Sequence, residues 1–124
     1  MTLTTRDIIG LNSAANVAQH SFIRFRMGAW SSTGHWAVNS TKTHPRMVQL
    51  GYPGHCNRHA ELALVIGAGR FNLVDSTVYV ARLLRDGSWA LAKPCAFCMY
   101  ALAEANVARV MWTVAPGEGD CITL

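Results

Sequence analysis

Hydrophobic and polar positions alternate with changing periods along the chain, and these changes divide it into helices and strands. Segment 4–20 is moderately amphipathic and opens with threonines that can cap a helix, which predicts a first helix. Segments 22–30 and 36–38 alternate with a period of two and are separated by the turn-forming residues 31–34. This pattern predicts a β-hairpin after the first helix.

The second half of the chain alternates apolar helices with strands rich in β-branched residues. Arg58–Gly69 and about Cys95–Asn106 are predicted helices that are apolar on nearly every side, which is typical of buried helices. Ser76–Leu84 and Arg109–Val114 are predicted strands, with Cys121–Leu124 as a short edge strand. This order of elements predicts an α/β fold in which helices cover both faces of a sheet.

The composition fits one small globular domain spanning residues 1–124. Hydrophobic residues make up 51% of the chain and charged residues only 15%, which excludes a disordered chain. So few charges predict that another subunit covers part of the surface, so we expect a homo-oligomer. Neither a signal-peptide pattern nor a membrane-length apolar run occurs, which predicts a cytoplasmic protein with no membrane partner. Its four cysteines are then expected to be metal ligands or free thiols.

Candidate chemistry is concentrated at the starts of the two predicted buried helices. His59 begins one helix, and Cys95 and Cys98 lie three residues apart at the start of the other. Two thiolates and one imidazole match a catalytic zinc site, which keeps a fourth position for water. Glu61 is the only charged residue between positions 59 and 69, and beside such a water it could take and return protons. Cys56 is a less favoured ligand, since three ligands and a water already complete the site.

Each of these features also has a structural interpretation of its own. A Cys-x-x-Cys pair is often a structural zinc pair or a redox couple, and a buried glutamate can be a satisfied core residue. A non-catalytic domain stabilised by zinc would close the fourth position with a protein ligand and would not need Glu61. The combination of the two motifs at two helix starts favours a catalytic centre.

The two motifs together resemble those of a known enzyme family. His59-Ala60-Glu61 followed by Pro94-Cys95-x-x-Cys98 is similar to the signature of the zinc-dependent cytidine and deoxycytidylate deaminases. The resemblance implies a three-layer α/β/α sandwich with a mixed sheet of four or five strands. It also implies that His59, Cys95 and Cys98 bind zinc while Glu61 moves protons. Water then attacks C4 of cytosine and ammonia leaves.

The same resemblance suggests further substrate contacts. The run Asn39-Ser-Thr-Lys-Thr-His-Pro45 is similar to small phage-type members of the family. Relatives commonly place an asparagine at the end of the second strand against the sugar, and Asn39 falls there. The backbone N–H of Ala60 would hold the carbonyl oxygen of the base. Lys93 stands before Pro94 where several tRNA-acting relatives have glutamate, which disfavours that subgroup.

The polar stretch at 39–58 is predicted to be a long loop, and its charge suggests an anionic ligand. It has no sustained period and carries Lys42, His44 and Arg46 without an acidic residue. Positive charge leading directly into the candidate site favours a phosphate-bearing substrate. We therefore expect a nucleoside monophosphate as the substrate, with Lys42 and His44 as the first candidates for phosphate contacts.

A second enzymatic interpretation is a base deaminase that acts on RNA, on single-stranded DNA or on a purine. Such an enzyme needs a basic track interleaved with aromatic side chains. The chain carries 11 basic residues, but most are arginines scattered along it without a clustered run. The sequence therefore favours a free cytosine nucleoside or nucleotide as the substrate.

Overall fold

The computed structural model describes residues 3–42, 44–49, 51, 58–69 and 71–124. Within these ranges it has four α-helices, which are α1 (Thr5–Ala18), α2 (Pro45–Gln49), α3 (Ala60–Ala68) and α4 (Ala96–Glu104). It also has six β-strands, which are β1 (Arg26–Ser31), β2 (Trp36–Val38), β3 (Thr77–Leu83), β4 (Trp89–Ala90), β5 (Arg109–Ala115) and β6 (Glu118–Thr123). In this part of the chain, no helix is long and apolar enough to cross a membrane.

The strands form one mixed sheet in the order β2-β1-β3-β5-β6. Strands β3 and β5 are parallel, with Val78 opposite Val110, and the other neighbouring pairs are antiparallel. The two-residue strand β4 pairs with the end of β3. It adds one strand to the expected four or five, and two residues are too few to show a period.

Helices cover both faces of this sheet, which confirms the predicted three-layer α/β/α arrangement. Alternate side chains of β3 point to opposite faces. Tyr79 packs with Leu11 of α1, whereas Val78 and Val80 pack with Leu64 of α3 and Leu102 of α4. The sheet is therefore buried between α1 on one side and α3 with α4 on the other.

The connections place the beginnings of α3 and α4 at the same edge of the sheet. Residues 69–76 join α3 to β3, and residues 105–108 join α4 to β5. Because these connections are short and β3 and β5 are parallel, both helices end near the start of the following strand. Both therefore begin near the carboxyl ends of β3 and β5, which is where ligands bind in open α/β sheets.

Two segments differ from the predicted elements. Strand β1 begins at Arg26 rather than at Phe22, whose side chain is fully exposed. Within the predicted 39–58 loop, residues Pro45–Gln49 form α2, with proline at the first helical position, where its missing N–H costs nothing. Met47 of α2 is buried against Leu62 of α3. Residues 43, 50 and 52–57 of the predicted loop lie outside the described ranges.

Candidate active site

His59 is held at the start of α3 by the backbone on either side of it. Its own backbone is extended and serves as the N-cap of α3, and its carbonyl accepts a hydrogen bond from Ala63 N. Arg58, the residue before it, forms an antiparallel bridge with Ser40 just beyond β2. The backbone of His59 is therefore fixed between the end of β2 and the first turn of α3.

Cys95 and Cys98 occupy the corresponding position on α4. Cys95 is the N-cap of the helix, and its Sγ accepts a hydrogen bond from Cys98 N at 3.5 Å. Cys98 lies in the first turn and is fully buried. Pro94 is buried just before the cap, and a proline disfavours helical backbone at the residue before it, here Lys93. The two thiols are therefore presented from one helix end.

The structure brings the three predicted metal ligands together. His59 Nδ1 lies 3.3 Å from Cys98 Sγ and 3.5 Å from Cys95 Sγ. All three ligand atoms lie within 4.8 Å of one another. His59 and Cys95 are half-buried, so the cluster remains accessible from one side. This arrangement can hold a metal ion.

The electrostatics of the cluster favour a thiolate. Hydrogen bonding with Cys98, followed by the contact with His59, outweighs burial and lowers the pKa of the Cys95 thiol to about 4. The hydrogen bond with Cys95 raises the pKa of His59 above its usual value. An anionic sulfur is the form that binds metals, so the site favours the binding of a metal cation.

Glu61 lies beside this cluster in the first turn of α3. It is only 2% exposed, and burial raises the pKa of its carboxyl above the usual value. Among the described residues, Oε1 of Glu61 is buried without a hydrogen-bond partner. A carboxylate in this position can accept a proton or a hydrogen bond from a group bound at the cluster.

Ala60 and Asn39, which were predicted to contact the substrate, are placed differently. Ala60 is fully buried at the first position of α3, where a helix leaves its backbone N–H without an intrahelical partner. The Asn39 amide accepts hydrogen bonds from Ser21 Oγ and Met27 N and donates one to Phe25 O at 2.6 Å. A sugar contact by Asn39 stays a prediction: both acceptor sites of its Oδ1 are used by these bonds, whereas only one of the two N–H groups of its amide is.

Of the two predicted phosphate contacts, His44 lies away from the starts of α3 and α4. His44 lines a cavity with Val65 and Glu104, in the later turns of α3 and α4, whereas the metal ligands lie where these helices begin. Its Nδ1 accepts a hydrogen bond from Arg46 N, and Arg46 is paired with Glu104. Lys42 is exposed. A phosphate contact by Lys42 or His44 therefore stays a prediction, and Cys56 lies outside the described residues.

Sequence reasoning missed Thr113, a buried residue that positions the segment leading to Cys95. Its Oγ1 donates to Ala90 O at 2.7 Å and accepts from Arg82 N, and its carbonyl accepts from Ala92 N. These bonds fasten the β4–α4 connection to β5. The available signal was a lone polar residue inside an apolar strand, and its partners depend on a register that the sequence does not reveal.

Comparisons with known proteins show the fold class. The sequence matches no family model, and it matches no curated protein. The structure is similar to the crystal structure of a cytidine deaminase from Burkholderia pseudomallei, with a TM-score of 0.67 and 14% sequence identity. The match covers 98% of this chain and 93% of that chain. The chain therefore has a cytidine deaminase fold.

Proposed function

We propose that this protein is a zinc-dependent hydrolase that deaminates the cytosine base of a free nucleoside or nucleotide. The observation that carries the proposal is the convergence of His59, Cys95 and Cys98 beside the buried carboxylate of Glu61. The similarity to a cytidine deaminase structure supports the same chemistry. The deoxycytidylate and phage-type assignments rest on the sequence motifs alone.

The three ligands fit a zinc ion in spacing and in charge. Zinc–nitrogen and zinc–sulfur bond lengths at a tetrahedral angle put the two ligand atoms about 3.6 Å apart. The nitrogen–sulfur distances of 3.3 Å and 3.5 Å are close to that value. Two thiolates and a neutral imidazole also balance the double charge of the ion. When bound, zinc supplies a Lewis acid that makes water a nucleophile near neutral pH.

Glu61 is the group that moves protons in the proposed reaction. Water adds to C4 of the cytosine ring, and the bond from C4 to the exocyclic amino nitrogen breaks. The products are uracil and ammonia. Glu61 takes a proton from the attacking water and returns it to the departing amine. The buried Oε1, which has no hydrogen-bond partner among the described residues, is free to make this contact. Burial of the carboxyl also excludes bulk water from the transfer.

The first backbone amide of α3 completes the proposed site. Ala60 lies between a metal ligand and the proton-transfer residue in the sequence, and its N–H belongs to the N-terminus of α3. A helix N-terminus carries partial positive charge and favours an oxygen acceptor. We assign the Ala60 N–H as the hydrogen-bond donor to the carbonyl oxygen of the base, which would orient C4 for attack.

A non-catalytic zinc domain accounts for fewer of these features. Among the described residues, the candidate metal group has three members, and no fourth protein ligand joins them. A structural zinc site normally has four. Glu61 would then be buried at a cost, with its Oε1 lacking a hydrogen-bond partner among the described residues.

An absorbance assay against a panel of substrates tests the proposal. The panel contains cytidine, deoxycytidine, their 5′-monophosphates, adenosine and a cytosine-containing oligonucleotide. We expect loss of the cytosine absorbance for a free nucleoside or nucleotide, with one ammonia released per uracil product. Activity confined to adenosine or to the oligonucleotide would favour the base deaminase interpretation instead.

A further inference from the structure

Two pairs of arginines that are far apart in the sequence line one cavity at the carboxyl end of β3. Arg24, Arg26, Arg82 and Arg85, here called the arginine cluster, surround a cavity of about 510 Å³ together with Phe25. No acidic side chain occurs among the described residues that line it. In the sequence these arginines form no clustered run. The pairing of β1 with β3 brings the two pairs together in the fold.

The contacts within the arginine cluster leave donors available. The Arg82 guanidinium lies 5.0 Å from the centroid of the Phe25 ring, and the Arg24 guanidinium lies 5.9 Å from it. Among the described residues, the buried Nε of Arg82 has no hydrogen-bond partner. The Asp86 carboxylate, next to Arg85, accepts hydrogen bonds from Ser88 N and Oγ. Both bonds go to Asp86 Oδ1, and Asp86 does not line the cavity.

Like charges at this spacing favour an anion. Four guanidinium groups around one cavity repel one another, and an unpaired buried N–H carries a desolvation cost. A bound anion would relieve both effects. Guanidinium groups match phosphate oxygens in geometry and make charge-assisted hydrogen bonds with them. The chemistry of the cavity therefore indicates a phosphate group.

The backbone connects the arginine cluster to the candidate metal ligands. Phe25 O accepts a hydrogen bond from the Asn39 amide, and Ser40, the next residue, forms a bridge with Arg58. Arg58 directly precedes the ligand His59. Arg82 is an even-numbered residue of β3, like Val78 and Val80, so it points to the face that α3 and α4 cover. Arg26 pairs with Leu83, which packs with α1, so the same alternation starts its side chain from the opposite face. The cluster therefore shares the edge of the sheet with the site because it lies at the carboxyl end of β3.

We propose that the arginine cluster binds the phosphate of a free cytosine nucleotide, an inference that rests on the proposed function. The cavity has the volume of a small-molecule site. A polynucleotide site would offer aromatic faces for successive bases, whereas guanidinium groups already lie over Phe25. The inference places the phosphate subsite where the start of β1 meets the end of β3, as an alternative to the predicted contacts of Lys42 and His44.

Binding measurements test this assignment without depending on turnover. We would titrate deoxycytidine, its 5′-monophosphate and inorganic phosphate into the purified protein by calorimetry. Loss of a charge-assisted contact weakens binding by about tenfold or more. Arg82→Gln and the exposed Arg85→Gln should each weaken nucleotide binding by that factor and leave nucleoside binding unchanged. Arg85→Gln keeps the test informative if Arg82→Gln does not fold.

Matched charge removals serve as controls. Arg6 is exposed on α1, away from the arginine cluster, so Arg6→Gln should change neither affinity. Equal losses for nucleoside and nucleotide in the cluster variants would overturn the inference. So would a loss of nucleotide binding in Lys42→Gln alone, because the 39–58 segment would then hold the phosphate. Much tighter binding of a cytosine oligonucleotide through the same arginines would also overturn it, in favour of a polynucleotide.

The two proposals fail in different ways. If nucleotide and inorganic phosphate bind through the arginine cluster but no cytosine compound is deaminated, the phosphate site stands and the proposed function is wrong. If nucleoside and nucleotide are deaminated equally well and the cluster variants bind both normally, the proposed function stands and the phosphate site is wrong.

Discussion

At the scale of single residues, two cysteines distinguish a predicted metal ligand from a thiol outside the site. Cys95 lies in the ligand cluster, whereas Cys121 lies on β6 at the far edge of the sheet. Cys95→Ala should reduce bound zinc from about one per chain to a small fraction and lower the melting temperature, because metal binding contributes to folding. Cys121→Ala should retain the zinc. Elemental analysis of both purified variants measures this, and equal zinc in the two would contradict the ligand assignment.

A second residue-scale prediction concerns acid stability. Burial alone would raise the pKa of Asp7, but hydrogen bonds from Arg109, Thr4 and Tyr79 outweigh it and hold that pKa below its usual value. The unfolded chain therefore takes up the proton first on acidification. The stabilisation is complete above about pH 3.9, the ordinary aspartate value, and is lost as the pH falls through the lower folded pKa.

Denaturation of the wild type and Asp7→Asn at two pH values checks the predicted direction of this pH dependence. The wild type should be the more stable protein at pH 7, and the difference should shrink at pH 3. Both proteins share the same metal ligands, so metal loss in acid affects them alike. A difference that is unchanged or larger at pH 3 would show that Asp7 does not act through its charge.

At the scale of elements, α1 packs unusually close to the sheet where it crosses β1. A Cβ added at Gly28 would lie 2.5 Å from Ala14 O and from Ala18 N of α1. Gly28→Ala should therefore push α1 away and destabilise the protein by about 1–3 kcal/mol. Gly67→Ala is the control, because a Cβ there meets no atom within 4 Å. It lies inside α3, so it should stabilise the fold by about 0.5–1 kcal/mol. Urea unfolding of both variants measures their free energies of unfolding. Similar changes in the two variants would refute the close packing of α1 on β1.

The sequence predicted elements well where a local signal marks them. Thr4 was expected to cap α1, and its Oγ1 accepts a hydrogen bond from Asp7 N at 3.1 Å. The helices α3 and α4 were expected from their apolar runs, so the ligands at their starts could be placed before the structure. The helix α2 has five residues and β4 has two, which are too few to show a period. The arginine cluster depends on the register between β1 and β3, which no local pattern encodes.

At the scale of the whole molecule, the apolar surface of α4 bears on assembly. Phe97 is 38% exposed and Tyr100 is 60% exposed, and residues three apart share one face of a helix. Self-association would bury this face close to the candidate site, so a homo-oligomer stays our prediction. Light scattering should give a mass of at least twice 13.5 kDa, and Tyr100→Glu should lower it. A wild-type particle of 13.5 kDa at micromolar concentration would contradict the prediction.

The central claim joins a zinc ion to one proton-transferring carboxylate, and Glu61→Gln tests it most directly. The amide has nearly the same shape as the carboxylate but cannot accept the proton, and the three ligands are untouched. Zinc content and deaminase turnover would be measured on the same preparations of wild type and variant. We expect about one zinc per chain in both proteins and a loss of turnover of about a hundredfold or more in the variant. A variant that keeps its zinc and still deaminates at the wild-type rate would contradict the account.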